Sequence, residues 1–263
     1  MLSISLRFAG DTLGTITPGL ASRTGLSPDC RVSCGIHDSN ASYLQHLLAS
    51  SPRRAGFCVI SSGTWTVTMA NGGQLSVLRA DRDMLAGVDA YSFPVCTVRF
   101  MGGREYQVIA QTEAPPDAAA LAAVLRKKIF ALPSFAPGGP FPEAKGTFAG
   151  GQALAGPECA SLATLYVALM SDLSIDLLGA GGDVFLDGPL AANPLFGPLL
   201  AAWRADDCVF ASEAREACNG AAAYLGGFGS RAVEAPAPLG PLPLAGLAEY
   251  RQAWRQLLPE VRQ

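Results

Sequence analysis

Residues 183–211 read DVFLDGPLAANPLFGPLLAAWRADDCVFA, and this stretch decides the fold class. Asp183 to Leu186 is a short apolar run that predicts a buried strand, and Asp187-Gly188-Pro189 turns the chain. Asn193 to Trp203 then has helical spacing, Cys208 to Ala211 is a second apolar strand, and Arg215 to Leu225 a second helix. Strand, helix, strand, helix predicts an α/β layer.

Working upstream, Glu158 to Leu178 predicts a long helix with Leu162, Leu165, Tyr166, Leu169, Leu173 and Leu177 on one face; Ser171, Asp172 and Asp176 fall outside it. The Pro- and Gly-rich stretch Leu132 to Gly151 reads as a surface loop, and Asp117 to Phe130 as a helix. Phe57 to Ser61 and Trp65 to Ala70 are apolar or alternating runs separated by a small-residue turn, which predicts a β-hairpin. Further strands are expected at Leu75 to Arg79, Thr97 to Phe100 and Tyr106 to Ile109. Nearer the start, Leu13 to Leu26 reads as a loop into a short helix and Arg31 to Gly35 as a buried strand. Ser39 is then the N-cap of a helix carrying Tyr43, Leu44, Leu47 and Leu48. Downstream, Pro236 to Leu244 is a proline-rich connection and Leu247 to Leu258 a terminal helix.

Composition narrows the class of function. With 263 residues, 49% hydrophobic and 16% charged, the chain can bury a full core. A net charge of -3 supplies no basic stripe, so no nucleic-acid partner is expected. The seven cysteines include no CxxC pair and only two histidines accompany them, so no metal site is expected and the thiols read as buried and reduced. The start, MLSISLRFAGDT, lacks a basic region followed by a sustained apolar run, and no window reaches the roughly 18 uninterrupted apolar residues of a membrane span. These features predict a soluble cytoplasmic protein with no membrane partner.

Three local patterns carry chemistry. In Cys34-Gly35-Ile36-His37-Asp38-Ser39-Asn40 a carboxylate lies between a strand and a helix, where Asp38 can act as a general base or cap the helix. In Ser61-Ser62-Gly63-Thr64-Trp65 the backbone N–H groups and hydroxyls can bind phosphate oxygens, or the turn can simply close a hairpin. In Asp187-Gly188-Pro189-Leu190-Ala191-Ala192-Asn193, Gly188 allows close approach of a flat ligand, while Asn193 can hydrogen-bond a nucleobase or cap a helix.

Taken in order, TPGLASRTGL (17–26), GIHDSNAS (35–42), VISSGTWTV (59–67), LDGPLAAN (186–193) and CNGAAAYLGG (218–227) resemble the successive motifs of FGGY carbohydrate kinases. The resemblance implies an actin-like, ribonuclease-H-like α/β ATPase fold that phosphorylates a sugar, a ketose by its nearest branches, using ATP and Mg2+. It places the catalytic base on Asp38, with His37 and Asp38 at the sugar. Gly63 and Thr64 lie near the ATP phosphates, Gly188 and Asn193 hold the adenosine, and Gly220, on a later small-residue helix, also binds the cofactor. Residues 1–56 become the remnant of an N-terminal lobe and residues 57–263 the C-terminal lobe.

The chain departs from the family pattern at Pro189 and in lacking the N-terminal phosphate motif. Gly188 is followed by Pro189 where many relatives have consecutive glycines; proline removes a donor and fixes φ. The segment FMGGRE (100–105) resembles the deoxy-sugar and xylulose-type branches, with Arg104 and Glu105 either at the substrate or on a solvated turn. No D-x-G-T phosphate motif of the N-terminal lobe occurs. The expected outcome is a kinase missing most of one lobe and inactive alone, partnered by a homodimer mate or a separate N-terminal lobe. The alternative is a noncatalytic scaffold or a subunit of a split kinase.

Overall fold

Strand β1 (Thr12–Thr15) pairs antiparallel with β2 (Arg31–Ser33), and helix α1 (Pro18–Thr24) fills the connection. The sequence Thr-Pro-Gly…Thr-Gly sets that helix's limits. The Thr17 hydroxyl caps the N–H of Leu20, Pro18 opens the first turn, and Gly25, at φ 72°, ends it by donating to the Ala21 carbonyl. The expected buried strand at Arg31–Gly35 is corrected here. β2 stops at Ser33 and Arg31 and Val32 are exposed, because a two-stranded ribbon covers neither of its own faces. These residues come from a computed structural model, which describes residues 7–49, 56–150, 154, 156–212, 222, 224–227 and 237–259.

Helix α2 (Asp38–Ala49) starts at Asp38 itself rather than after a Ser39 cap. It buries Leu44 and Ala41 against Ile36, Ala90, Tyr224 and Leu225. The Asn40 amide donates to the Val88 carbonyl at 3.1 Å, and the hydroxyls of Tyr91 and Tyr224 share a hydrogen bond of 2.7 Å. These elements belong to one compact unit, Met1–Ser50 with Val88–Pro94 and Arg215–Glu234; the other comprises Ser51–Gly87, Val95–Ala214 and Ala235–Gln263.

The second unit is built on a six-stranded sheet. Its strands in chain order are β3 (Phe57–Ser62), β4 (Thr66–Asn71), β5 (Met84–Val88), β6 (Pro94–Phe100), β9 (Asp183–Asp187) and β10 (Val209–Ala211), arranged as β10-β9-β3-β4-β6-β5. A separate ribbon pairs β7 (Phe130–Leu132) with β8 (Thr147–Ala149). β3, β4 and β6 form an antiparallel set, whereas β9 joins β3, and β10 joins β9, in parallel. Parallel pairing requires crossovers. Helix α5 (Pro157–Leu177) precedes β9, and α6 (Phe196–Trp203) links it to β10. Helices α3 (Gly102–Ala110), α4 (Ala118–Lys127) and α7 (Leu247–Gln256) complete the unit.

Helix α5 is long and apolar enough to cross a membrane, but 83% of its apolar 18-residue window is buried, as befits a core helix. Leu162, Leu165, Tyr166 and Leu169 lie in the core as the spacing predicts, each such buried leucine contributing about 1.5–3 kcal/mol. Asp172, which the spacing leaves outside that face, is nevertheless 0% exposed. Its carboxylate accepts Arg251 Nε at 2.7 Å and Arg251 Nη2 at 2.8 Å, and Arg255 Nη2 at 2.6 Å. Arg204 Nε is 3.2 Å from the same carboxylate, and Arg204 Nη2 reaches Asp176 at 2.7 Å. This ion cluster fastens α7 and the end of α6 to α5.

Two expected strands are instead helical. Leu75–Val77 is a 3-10 turn, and Tyr106–Ile109 lies within α3. The helix expected at Asn193–Trp203 starts only at Phe196, as α6, and a 3-10 turn at Pro189–Ala192 precedes it. The helix expected at Arg215–Leu225 lies mostly outside the described residues. Of the six described cysteines, all free, only Cys58 and Cys96 are buried; Cys34 and Cys208 are exposed, so burial does not describe the thiols as a group.

Candidate active site

The turn Gly63–Thr64 leaves the C-terminal end of β3, and Gly188 leaves the C-terminal end of the parallel neighbour β9, with Ser61 opposite Asp187 in register. Ligands of open α/β sheets bind outside such strand ends. Ser62 joins the two turns. Its hydroxyl donates to the Asp187 carbonyl at 2.6 Å and accepts the Leu190 N–H at 3.0 Å. The N–H that Pro189 lacks is thus not needed for this tie, because Leu190 supplies the donor.

Gly188 is held in a conformation that requires glycine, at φ 83° and ψ -170°. A Cβ there would lie 1.9 Å from the Ser62 carbonyl oxygen. Gly188 therefore lets one turn seat directly against the other. Asn193 is half-buried; its amide donates to Thr164 Oγ1 at 2.9 Å, and its carbonyl accepts the Leu195 N–H at 3.0 Å. The side chain anchors the turn to α5 and to the approach of α6.

Gly63 and Thr64 are exposed, and the Gly63 N–H closes the turn on the Trp65 carbonyl at 2.8 Å. Beyond the turn, the Arg99 guanidinium stacks 4.7 Å from the centre of the Trp65 ring. Asp83 accepts Arg99 Nε at 3.1 Å and the Gly139 N–H at 2.7 Å, so the strand leaving the turn is also braced.

In the first unit, Asp38 opens α2, where a negative charge interacts favourably with the helix dipole. One carboxylate oxygen accepts the Ser39 N–H at 2.7 Å and lies 2.7 Å from His37 Nδ1. With the Asp38 side chain 78% exposed and that of His37 75%, both are free of core packing. Gly220 lies outside the described residues.

Sequence reasoning did not find Ser62 as the link, nor Glu105 as a core group. Glu105 is 1% exposed and accepts hydrogen bonds from the Tyr166 hydroxyl and, at 3.3 Å, the Phe135 N–H; neither a solvated turn nor a substrate contact describes it. Burial pushes its carboxyl above the usual range, partly opposed by those two donors. Arg104 is exposed, as a solvated side chain would be.

An antiparallel three-strand set extended by two parallel crossover strands, with glycine turns at the parallel strand ends, defines an actin-like ATPase fold. The family description "Carbohydrate kinase FGGY, C-terminal domain" matches residues 54–235, and the chain belongs to this family. A carbohydrate kinase from Novosphingobium aromaticivorans is 33% identical, with a TM-score of 0.79 over 95% of this chain and 57% of the other. Xylulose kinase from Rhodospirillum rubrum (18% identity, TM-score 0.65, 95% and 55% coverage) shares the fold. So does gluconate kinase from Lactobacillus acidophilus (14%, 0.65, 95% and 55%). The chain thus spans about half the length of the solved structures it matches. Among curated proteins nothing matches significantly.

Proposed function

We propose that this chain is the nucleotide-binding part of an ATP-dependent sugar kinase that transfers the γ-phosphoryl group to a ketose hydroxyl. The observation that carries the reading is the Ser62 tie, which joins Gly63–Thr64 and Gly188 at adjacent parallel strand ends. Backbone N–H groups and the Thr64 hydroxyl would hold phosphate oxygens, and the Gly188–Asn193 turn the adenosine. Asp38 would take the hydroxyl proton as the phosphoryl group transfers, with His37 beside it at the sugar.

Mg2+ is commonly held by one or two carboxylates together with substrate phosphates and water. Among the described residues no group of three or more His, Cys, Asp or Glu is placed to hold a metal. When bound with nucleotide, the ion neutralises charge on the phosphates.

Residues 1–56 would be the tail of the N-terminal lobe and residues 57–263 the C-terminal lobe. The coverage of 57% of the Novosphingobium kinase, and the lack of a D-x-G-T string, favour a chain that needs a complementary lobe for full turnover. Phosphoryl transfer depends mainly on positioning both reactants. The test is a coupled assay of the purified chain with ATP, Mg2+ and a panel of ketoses. Weak nucleotide binding with little turnover is expected. Robust turnover abolished in Asp38→Asn would overturn the need for a second lobe and support the base; robust turnover indifferent to Asp38→Asn would overturn the base.

A further inference from the structure

The Gly63–Thr64 turn rests on the start of α3. A Cβ on Gly103 would lie 2.2 Å from the Gly63 carbonyl oxygen and 3.4 Å from Thr64 Cα; a Cβ on Gly102 would lie 2.2 Å from the Thr66 hydroxyl. Neither glycine has a positive φ, so contact rather than conformation excludes a larger residue. Two residues further along the same helix, the buried Glu105 carboxyl takes hydrogen bonds from Tyr166 of α5 and from the Phe135 N–H. The Phe135 ring also meets the Tyr166 ring edge-on at 5.5 Å. Helix α5 reaches the other turn as well, since Thr164 accepts the Asn193 amide. One buried helix therefore backs both glycine turns, the first through Glu105 and α3.

A buried carboxyl is costly unless it is hydrogen-bonded, and an apolar residue would fill this place in a core at lower cost. Its bonds fix the axial position and rotation of α3, and hence of Gly103 against Gly63.

We propose that Gly103 and Glu105 are positioning residues for the Gly63–Thr64 turn, setting the Thr64 N–H and hydroxyl to receive nucleotide phosphates while the Gly63 N–H closes the turn on Trp65. This inference rests on the reading of that turn as the phosphate site.

The experiment is calorimetric titration of the full chain with adenosine, ADP and ATP. If the wild type binds ATP no better than adenosine, the phosphate reading itself falls, and this inference with it. Where the wild type prefers ATP, Gly103→Ala should erase about ten- to hundredfold of that preference, the equivalent of one charge-assisted hydrogen bond. Adenosine affinity should stay within about twofold, because the Gly188–Asn193 turn is held by Ser62 and Thr164. An unchanged ATP preference, or equal loss of adenosine and ATP, would overturn the proposal. If Gly103→Ala does not fold, Tyr166→Phe carries the test, since it removes one hydroxyl and adds no atom. It should reduce the ATP preference several-fold, while Glu105→Gln, which still accepts both hydrogen bonds, should retain it. Indifference to Tyr166→Phe would likewise overturn the proposal.

Discussion

Replacing Gly188 with alanine tests the joint between the two turns. The backbone at φ 83° and ψ -170° lies where a Cβ is strongly disfavoured, a strain of about 1–3 kcal/mol. The new methyl would also fall 1.9 Å from the Ser62 carbonyl and 2.7 Å from its hydroxyl, inside any permitted contact. Relieving that overlap means moving β9's exit away from β3, at a further cost of about 1–3 kcal/mol. The expected loss is therefore about 2–6 kcal/mol, a large part of the stability of an ordinary domain. Urea denaturation followed by circular dichroism measures it as a fall in midpoint at unchanged slope. Gly181→Ala is the control, because a Cβ there meets nothing within 4 Å and φ is not positive; it should change stability by less than about 1 kcal/mol. A Gly188→Ala protein within about 1 kcal/mol of wild type would refute the claim that the turns are seated on each other.

Asp172→Asn should destabilise the second unit by about 3–5 kcal/mol, because it leaves Arg204 and Arg251 facing a neutral group in a buried site; thermal melting checks this, and a loss below about 1 kcal/mol would contradict it. Glu105 has a carboxyl raised by burial, so the folded state holds its proton at pH values where the unfolded chain has released it. Its contribution is full below the unfolded value and is lost as pH rises through the folded value. Glu105→Gln should therefore flatten the decline in unfolding free energy over that interval; a profile parallel to wild type would contradict the assignment.

Much of the second unit is legible in the sequence because its signals are local. The hairpin of β3 and β4 follows from two β-rich runs and a Gly-Thr tip, and β9 and β10 from short apolar runs beside turns. The Gly63–Thr64 and Gly188 motifs are legible too, but their junction through Ser62 is not, since it spans 125 residues of sequence. Tyr106–Ile109 looks like a strand by its residues, yet the close seating of Gly102 and Gly103 commits the segment to α3. Glu105 reads as a solvated or substrate-facing residue, and Asp172 as one merely outside the apolar face, for the same reason. Their partners, Arg251 and Tyr166, come from distant elements, and nothing in the local period reports a carboxylate's burial. In the first unit, Arg31–Gly35 carries an apolar flavour without the second layer that would bury it.

The most direct test of the central claim is amide NMR of the full chain titrated with ATP and, separately, adenosine. ATP should shift the amides of Gly63 and Thr64 together with Gly188 and Leu190, while adenosine should shift Gly188 and Leu190 alone. ATP-induced shifts that leave Gly63 and Thr64 unmoved would contradict it.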